Sequence, residues 1–426
     1  MGESLKDVQK YLFGLRRAGV KYTLDNICCL LEALGNPHRA WPAVHIAGTN
    51  GKGSTAAFVE AALLQAGYRV GKYTSPHLVR VNERIVVNGR PAPDELFLEL
   101  TGRLRPLIER IQPSFFEVLT AMAFWYFAQQ QVEVAVVETG MGGRLDSTNV
   151  VNPWVSVITP ISLDHQHYLG ASLTAIAREK AGIIKPGIPC VSGPQHRQVM
   201  AVLREKCREK GSSLAAVAEN GQWHIESMDL TGTTLQVRYG EWRFDALRLS
   251  LAGPHQVENA LLALGTLYQL RDKINVQPRT IEKAFREVTW PGRLQVLSNA
   301  PLIVLDVAHN PAGIENVLTF VNKQTSKKPL TVLTALQKDK DAVAIARLLA
   351  RRANQVFVTG LTEGKPLAPD ILAGLIKRFG GTASIVSSSR QGWDQLNRQV
   401  AQQNGVGLVV GSHFLAGEIL ANIQKG

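Results

Sequence analysis

The sequence predicts an α/β protein of two domains, and three features carry that prediction. The chain has 426 residues, which is more than one simple hydrophobic core usually fills. A glycine-rich turn, Gly48 to Ser54, lies between a strand-like run (43–46) and a helix-like run (54–65). Strand patterns then alternate with helical patterns along most of the chain, which is typical of parallel sheets covered by helices.

The composition is ordinary for a globular protein, with 45% hydrophobic and 19% charged residues. The net charge of +12 allows two interpretations, a nucleic-acid binder or an enzyme of small polyanions. The basic residues are scattered and no nucleic-acid motif is present, so we favour small anionic substrates such as nucleotides and polycarboxylates.

No feature of the sequence predicts a membrane or secretory protein. The N-terminus is polar, and the most apolar stretch (115–127) is shorter than the roughly 20 residues of a membrane span and contains Glu117. The four cysteines have no metal or redox spacing, which fits a reducing compartment. We therefore expect a cytoplasmic protein, and a monomer is the default expectation.

The glycine-rich turn has the composition of a phosphate-binding loop. Glycines allow positive φ and a close backbone approach, while the helix N-terminus and Lys52 attract phosphate charge. The spelling departs from the usual G-x-x-x-x-G-K-[ST], because Gly53 separates Lys52 from Ser54. The alternative, a helix cap with a chance lysine, would not explain the strand, the glycines and the hydroxyls together.

The N-terminal part is predicted to contain further helices and strands. In order they are helices within 5–35 joined by a loop near Gly19 to Thr23, a strand at 70–73, a helix at 94–110 capped by Asp94, a helix at 115–130, strands at 132–138 and 155–158, a helix at 172–182, a strand and helix within 187–211, an antiparallel insertion at 223–249, and a helix to about residue 270.

Polar side chains follow several of these strands. Glu138 ends the most convincing buried strand of the sequence and precedes a glycine-rich turn, which favours a metal ligand over a simple salt-bridged carboxylate. Ser75 follows the 70–73 strand and could equally be a turn residue. Asp164 and His165 follow the next strand and suggest metal or phosphate contacts. Taken alone, Lys180 is interpreted as a solvated helix lysine.

A domain boundary is predicted near Trp290-Pro-Gly-Arg293, which gives domains of 1–292 and 293–426. The second domain is predicted to hold a mostly parallel sheet, with strands near 302–305, 330–334, 355–358, 384–387 and 407–410. It has no glycine-rich loop of its own, so we expect it to close over the loop of the first domain. The active site is then expected in the interdomain cleft.

The motifs together resemble one family. They are Gly48-Thr-Asn-Gly-Lys-Gly-Ser54, Thr74-Ser-Pro-His-Leu78, Glu138-Thr-Gly-Met-Gly-Gly-Arg-Leu-Asp-Ser-Thr-Asn149, Asp164-His165, Arg178-Glu-Lys-Ala-Gly-Ile183, Pro291-Gly-Arg293 and Asp306-Val-Ala-His-Asn-Pro311. In this order they resemble the folylpolyglutamate synthase/dihydrofolate synthase branch of the Mur-ligase superfamily. The resemblance implies a P-loop ATPase domain of Mur-ligase type followed by a smaller, Rossmann-like α/β domain.

The resemblance also implies a reaction. Such an enzyme uses ATP and Mg²⁺, with two Mg²⁺ ions in the site, to join glutamate to the γ-carboxyl of a reduced folate, to dihydropteroate, or to both. ATP converts the carboxylate to an acyl phosphate, which the glutamate amine then attacks. The protein has to position these groups and neutralise charge on the transferred phosphoryl group.

The family pattern assigns roles to residues by position. The residues implied to bind ATP are Gly51, Lys52, Gly53, Ser54, Asn259, Arg293 and Asp306. Those implied at the metal ions are Ser54, Ser75, Glu138, His165 and Lys180, and the implied catalytic groups are Lys52, His165 and Lys180. The matching lysine of the family is carbamylated, which implies an N6-carboxylated Lys180. The implied folate or pteroate contacts are Ser114, Phe115, Phe116, Glu117, Leu145, Asp146 and Ser147. His309, Ser412 and His413 are further candidates for glutamate or nucleotide contacts.

Three other classes of protein fit the sequence less well. Another Mur-like ligase, acting on a nucleotide-linked sugar peptide, would need an extra N-terminal domain, but the loop begins about 47 residues into the chain. A P-loop NTPase acting as a switch or nucleic-acid factor would carry the usual loop spelling. A non-catalytic binding protein would not need Lys52, Glu138, His165 and Lys180 intact.

Overall fold

The structure is a computed structural model that describes residues 4–15, 23–326 and 328–424. The loop predicted near Gly19 to Thr23 therefore lies, apart from Thr23, outside the described residues.

A mixed sheet forms the centre of the N-terminal part. Its strands are β1 (Ala43–Ala47), β2 (Val70–Tyr73), β3 (Ile85–Val87), β4 (Arg90–Pro91), β5 (Val134–Glu138), β6 (Pro153–Ile158), β7 (Cys190–Ser192) and β8 (Leu214–Ala216). Their order is β4-β3-β2-β5-β1-β6-β7-β8. Six neighbouring strands, β2, β5, β1, β6, β7 and β8, are parallel to one another. At the β2 edge, β3 and then β4 are added in antiparallel pairing. All residues of β1, β2 and β5 are buried, as expected for strands covered on both faces.

Helices cover both faces of this sheet. They are α1 (Leu5–Gly14), α2 (Asp25–Ala33), α3 (Lys52–Gln65), α4 (Asp94–Ile111), α5 (Phe115–Gln129), α6 (Gln166–Leu169), α7 (Leu173–Lys180), α8 (Arg197–Glu209), α9 (Val217–Asn220), α10 (Pro254–Gln269) and α11 (Pro278–Glu287). Because successive strand side chains point to opposite faces, Val44 and Ile46 join the core of α3, α10 and α11, while Ala43 joins that of α2, α4 and α5.

The prediction that Asp94 caps α4 was wrong. Pro93 occupies the N-cap position, and no side chain caps the helix there. The Asp94 carboxylate instead accepts hydrogen bonds from Arg80 Nη2 and Asn82 Nδ2, each at 2.8 Å from Oδ1. This carboxylate therefore ties the preceding turn to the helix.

The predicted antiparallel insertion is confirmed. It consists of β9 (Gly221–Asp229), β10 (Gly232–Tyr239) and β11 (Trp242–Leu249), paired in the order β11-β10-β9. Alternate residues of β10 and β11 are buried against α10 and α11, so the insertion extends the core of the N-terminal part.

A third sheet begins at Gln295. Its strands are β12 (Gln295–Asn299), β13 (Leu302–Leu305), β14 (Leu330–Thr334), β15 (Gln355–Val358), β16 (Ala383–Ile385) and β17 (Val406–Val410). The order is β12-β13-β17-β14-β15-β16, and β12 is the antiparallel edge of an otherwise parallel sheet. Its helices are α12 (Pro311–Gln324), α13 (Ala342–Arg352), α14 (Pro369–Arg378), α15 (Ser389–Gln403) and α16 (His413–Gln424). The mostly parallel sheet predicted for this part is therefore confirmed.

The described helices include none that combines the length and the apolar character needed to cross a lipid bilayer.

Candidate active site

The carboxyl ends of parallel strands from the first and third sheets meet at one place. In the first sheet β2, β5, β1 and β6 are neighbours, and their carboxyl ends lead into Ser75, Glu138, the glycine-rich loop and the turn before His165. In the third sheet β13, β17 and β14 are neighbours, and their carboxyl ends lead into Asp306, Ser412 and the 335–341 turn. Ligands of open α/β sheets bind at such strand ends.

A cavity of about 840 Å³ lies between these two sets of strand ends. All of the site residues predicted from the sequence line this cavity. They are Gly51, Lys52, Gly53, Ser54, Ser75, Ser114, Phe115, Phe116, Glu117, Glu138, Leu145, Asp146, Ser147, His165, Lys180, Asn259, Arg293, Asp306, His309, Ser412 and His413. The cavity has the size and the mixture of aromatic and charged lining expected for small-molecule substrates.

The backbone of the loop requires its glycines. Gly51 has a φ of 88°, and a Cβ at this position would lie 2.1 Å from Asn259 Oδ1. A Cβ at Gly53 would lie 2.9 Å from Cζ2 of the Trp290 ring. The unusual Gly53 between Lys52 and Ser54 therefore lets the start of α3 pack against the tryptophan.

The side chain of Lys52, in the first turn of α3, folds back onto the glycine-rich loop. Its Nζ donates to the carbonyl oxygens of Gly48 and Thr49, each at 3.3 Å, and lies 3.8 Å from Glu138 Oε1. The buried Glu138 also accepts a hydrogen bond from the Ser75 amide at 3.3 Å through Oε2. Burial raises the pKa of Glu138, and the Lys52 charge opposes that rise. A phosphate near Lys52 and a cation near Glu138 would each find an opposite charge.

Lys180 is buried, so its interpretation as a solvated helix lysine was wrong. It ends α7, and its Nζ donates to the Gly48 carbonyl oxygen over 2.6 Å. Burial, and next the charge of Lys52, lower the pKa of Lys180 to about 7. A substantial fraction of this amine is therefore neutral near pH 7.

The oxygen donors at these strand ends suit a hard cation. The Ser54 and Ser75 hydroxyls and the Glu138 carboxylate are of the kind that Mg²⁺ prefers. Across the described residues, no group of three or more His, Cys, Asp or Glu side chains is placed to hold a metal by itself. An unmodified Lys180 ammonium would repel such an ion, whereas a carbamate would attract it.

His165 adopts a left-handed backbone (φ 49°), which is uncommon for a residue with a side chain. Its amide donates to Asp164 Oδ1 at 2.9 Å. Burial lowers the pKa of the His165 imidazole, and the Asp164 charge opposes this shift. The imidazole is therefore available as a neutral ligand near the phosphate loop.

The aromatic end of the cavity is built at the start of α5. The Ser114 hydroxyl accepts from the Glu117 amide at 3.3 Å, and the Glu117 carboxylate accepts from the Ser114 amide at 2.6 Å. This capping box fixes the first turn of α5 and so fixes both phenylalanines. The Phe116 ring lies 5.7 Å from the ring of Tyr73, and the Arg84 guanidinium lies 5.3 Å from the Phe115 ring.

Asp146 connects two turns at this end of the cavity. Its Oδ1 accepts from the Thr148 amide at 3.0 Å and from Thr148 Oγ1 at 2.5 Å, while its Oδ2 accepts from the Met141 amide at 2.9 Å. Burial raises the pKa of Asp146, and the hydrogen bonds from Thr148 oppose that rise. The carboxylate thus has a fixed position in the wall.

The third sheet contributes its residues through the 306–311 turn. Asp306 accepts from the Leu294 amide at 2.9 Å and from the Ala308 amide at 2.8 Å, which fixes the turn beside Arg293. The rings of His309 and His413 lie 5.1 Å apart. Burial lowers the pKa of His309 to about 4, so this imidazole is neutral at pH 7.

Sequence reasoning missed the contacts that bridge the two sides of the cavity, and with them Asn50, Asn310 and Lys340. Asn310 Nδ2 donates to Asn50 Oδ1 at 2.9 Å, and Lys340 Nζ lies 3.3 Å from Asp164 Oδ1. Asn50 and Asn310 stand within the recognised motifs, but their pairing over 260 positions is visible only in the fold. Lys340 carries no motif that would have singled it out.

Two protein-family models match this chain and define the class of protein. Residues 46–267 match the Mur ligase middle domain, and residues 292–413 match the Mur ligase, glutamate ligase domain. The protein is thus a Mur-type ligase, as its fold and its phosphate loop predict.

Individual relatives identify the branch of the Mur-ligase superfamily. The folylpolyglutamate synthase of Lacticaseibacillus casei is 39% identical over 80% of this chain and 82% of its own length. The dihydrofolate synthetase of Saccharomyces cerevisiae is 33% identical over 94% of this chain and 97% of its own. The chain belongs to the folylpolyglutamate synthase/dihydrofolate synthase family of the Mur-ligase superfamily.

Solved structures agree over nearly the whole chain. Mycobacterium tuberculosis folylpolyglutamate synthase complexed with ADP has a TM-score of 0.90 and 34% identity, covering 98% of both chains. E. coli FolC in complex with DHPP and ADP has a TM-score of 0.88 and 27% identity, also covering 98% of both. The fold and the family predicted from the sequence are therefore confirmed.

Proposed function

We propose that this protein is an ATP-dependent ligase that adds L-glutamate to the γ-carboxyl of a reduced folate, to dihydropteroate, or to both. One observation carries the proposal. A single cavity joins a phosphate loop and a buried carboxylate to an aromatic end, with the glutamate ligase domain on its other side. The E. coli neighbour, whose structure holds DHPP and ADP together, has the same fold.

The first step activates the acceptor carboxylate, which is a poor electrophile. Its oxygen attacks the γ-phosphorus of ATP, the bond to the β,γ-bridging oxygen breaks, and an acyl phosphate and ADP form. The role of the loop is to position the phosphates and neutralise their charge. We assign this role to Gly51, Lys52, Gly53 and Ser54, with Asn259, Arg293 and Asp306 holding the rest of the nucleotide.

In the second step the glutamate amine attacks the acyl carbon, loses a proton and displaces inorganic phosphate through a tetrahedral intermediate. Lys52, His165 and Lys180 are the groups that we place around the reacting phosphoryl group. The incoming glutamate is placed on the side of the third sheet, where His309, Ser412 and His413 are candidates for its contacts. Neutral imidazoles there can accept hydrogen bonds from an ammonium or donate to a carboxylate.

Two Mg²⁺ ions are part of the proposal, with Ser54, Ser75, Glu138, His165 and a modified Lys180 as their residues. When bound, they would neutralise charge on the transferred phosphoryl group. The lowered pKa of Lys180, about 7, supports the modification, because only a neutral amine attacks CO₂. The amine forms an N–C bond to CO₂ and loses a proton, and the product is a carboxylate-like anion.

The acceptor's ring system is placed at the aromatic end. The residues that we assign to it are Ser114, Phe115, Phe116, Glu117, Leu145, Asp146 and Ser147. Phenylalanine rings can stack on a pterin, and the Asp146 carboxylate can accept its N–H groups.

We also propose how the protein is organised as a whole. The chain divides into domains of 1–292 and 293–426, functions as a monomer in the cytoplasm, and binds small molecules without a nucleic-acid or membrane partner. The scattered positive charge is then explained by polyanionic substrates.

The direct test is an incubation of the purified protein with ATP, Mg²⁺ and labelled L-glutamate, offering dihydropteroate and tetrahydrofolate in separate reactions. We expect label in an amide product with at least one acceptor, and the comparison of the two reactions defines the acceptor. Absence of labelled product with both acceptors would contradict the proposed function.

A further inference from the structure

A chain of buried hydrogen bonds leads from the centre of the first sheet to the aromatic end of the cavity. His45, in the middle of β1, is fully buried, and its Nε2 lies 2.8 Å from Thr148 Oγ1. The same hydroxyl lies 2.5 Å from Asp146 Oδ1. Neither His45 nor Thr148 is among the residues proposed to contact a substrate. Burying an imidazole in a central strand is unfavourable unless its polar atoms are hydrogen-bonded.

We infer that His45 and Thr148 are positioning residues that keep the Asp146 carboxylate ionised and fixed in orientation for hydrogen bonds from the acceptor's ring system. The inference rests on the proposed function, because it takes Asp146 as a contact of that ring system.

The direction of the hydrogen bonds follows from the chemistry of the three groups. A carboxylate can only accept, so the Thr148 hydroxyl donates its proton to Asp146. The Thr148 oxygen then has only lone pairs to offer, so His45 must donate from Nε2–H. Burial lowers the pKa of His45 to about 3, so the ring is neutral and carries this single proton.

The other ring nitrogen supports this assignment. His45 Nδ1 is buried and has no hydrogen-bond partner within the described part of the chain. In the assigned tautomer Nδ1 is a bare acceptor. The opposite tautomer, with a protonated Asp146 at the far end of the chain, would leave a buried N–H without an acceptor. The surroundings of His45 therefore favour the arrangement in which Asp146 is ionised.

The geometry at Asp146 suits a ligand contact. Both hydrogen bonds from Thr148 go to Oδ1, whereas the Met141 amide donates to Oδ2. Thr148 therefore fixes the carboxylate through Oδ1, and backbone amides of the 140–141 turn also donate to the carboxylate. Asp146 lines the cavity although it is only 6% exposed, so its orientation is set from behind by the buried chain.

A purely structural role is the competing explanation. Asp146 also caps the short turn 147–150 through the Thr148 amide. If the hydroxyl and the imidazole served only folding, their loss would lower stability without a selective effect on the acceptor.

A pair of Thr148 substitutions separates the two explanations. Thr148→Val keeps the shape and removes the hydroxyl, while Thr148→Ser keeps the hydroxyl. We expect Thr148→Val to raise the KM for the pterin acceptor about tenfold or more, because a hydrogen bond to a charged group is lost. The Kd for ADP, measured by calorimetry, should stay within about twofold, and Thr148→Ser should keep the acceptor KM within about threefold of the original. Equal acceptor KM values for the two variants, or parallel losses of acceptor and ADP binding, would overturn the inference.

A second measurement needs neither activity nor a substitution at Thr148. In protein labelled with ¹⁵N-histidine, the His45 signals, assigned by their loss in His45→Gln, should show a protonated Nε2 and a bare Nδ1. They should not change between pH 8 and pH 5. A protonated Nδ1 would overturn the inference even if the protein ligates glutamate. Conversely, absence of ligation with the expected tautomer would count against the proposed function.

Discussion

Lys180 shows how burial changes the chemistry of a single side chain. Its pKa of about 7 means that the amine is mostly neutral at pH 8 and mostly protonated at pH 6. Only the neutral form reacts with CO₂, so we expect an adduct of about 44 Da on the intact protein in bicarbonate. Native mass spectrometry should find more of it at pH 8 than at pH 6.

A neighbouring lysine provides the matched control for this prediction. Lys185 is partly buried and its pKa is also lowered by burial, but its Nζ donates to the Asn149 carbonyl oxygen away from the cavity wall. Lys185→Ala should keep the adduct and Lys180→Ala should lose it. Short-chain carboxylic acids should restore activity to Lys180→Ala. Full activity of Lys180→Ala without any added acid would show that the carbamate plays no part.

At the scale of one element, the phosphate loop depends on the close approach of its backbone to α10. Gly51→Ala places a Cβ 2.1 Å from Asn259 Oδ1 and forces a side-chain residue into positive φ. We expect ADP affinity, measured by titration calorimetry, to fall about tenfold or more, since both the loop and Asn259 must move. The strain should also lower the free energy of unfolding by about 1–2 kcal/mol.

Gly67, just beyond the other end of α3, separates these two effects. Its φ of 89° equals that of Gly51 within a degree, but an added Cβ there meets no atom within 4 Å. Gly67→Ala should therefore show the loss of stability with unchanged ADP affinity. If both variants bind ADP as tightly as the original protein, the loop does not hold the nucleotide.

At the scale of the whole molecule, several close contacts join the N-terminal part to the third sheet and its helices, and Gly417 lies at one of them. A Cβ on Gly417, in α16, would lie 1.9 Å from the carbonyl oxygen of Leu78, in the turn that follows β2. We expect Gly417→Ala to lower the free energy of unfolding by about 1–3 kcal/mol, although alanine is the better helix former. Urea denaturation measures the change.

Gly374, in α14, is the matched helical control. It is exposed, and an added Cβ would meet no atom within 4 Å. Gly374→Ala should raise the free energy of unfolding by up to about 1 kcal/mol through helix propensity alone. A stabilised Gly417→Ala would mean that the turn after β2 and α16 do not pack as described.

Some features of the whole molecule could be predicted from the sequence, and others could not. The order of strands and helices was predictable, because buried strands such as β5 are continuous apolar runs and local turn residues end them. The gathering of Ser75, Glu138 and His165 followed from the rule that parallel strands end at one edge. By contrast, the burial of Lys180 and its contact with Gly48, or the pair of Asp164 with Lys340, depend on distant segments of chain. No local pattern encodes such contacts.

The stoichiometry of the reaction is the most direct test of the proposed ligase activity. With ATP, Mg²⁺, labelled glutamate and an accepted pterin substrate, we predict one ADP released for each glutamate incorporated. Little ADP should be released when either the acceptor or glutamate is omitted. Lys52→Ala should abolish both signals while its circular dichroism spectrum stays close to the original, because Lys52 lines the cavity and does not belong to the hydrophobic core. Its unfolding midpoint should fall, because the buried Glu138 loses its neighbouring cation. Release of ADP without an amide product, or full turnover by Lys52→Ala, would contradict the account.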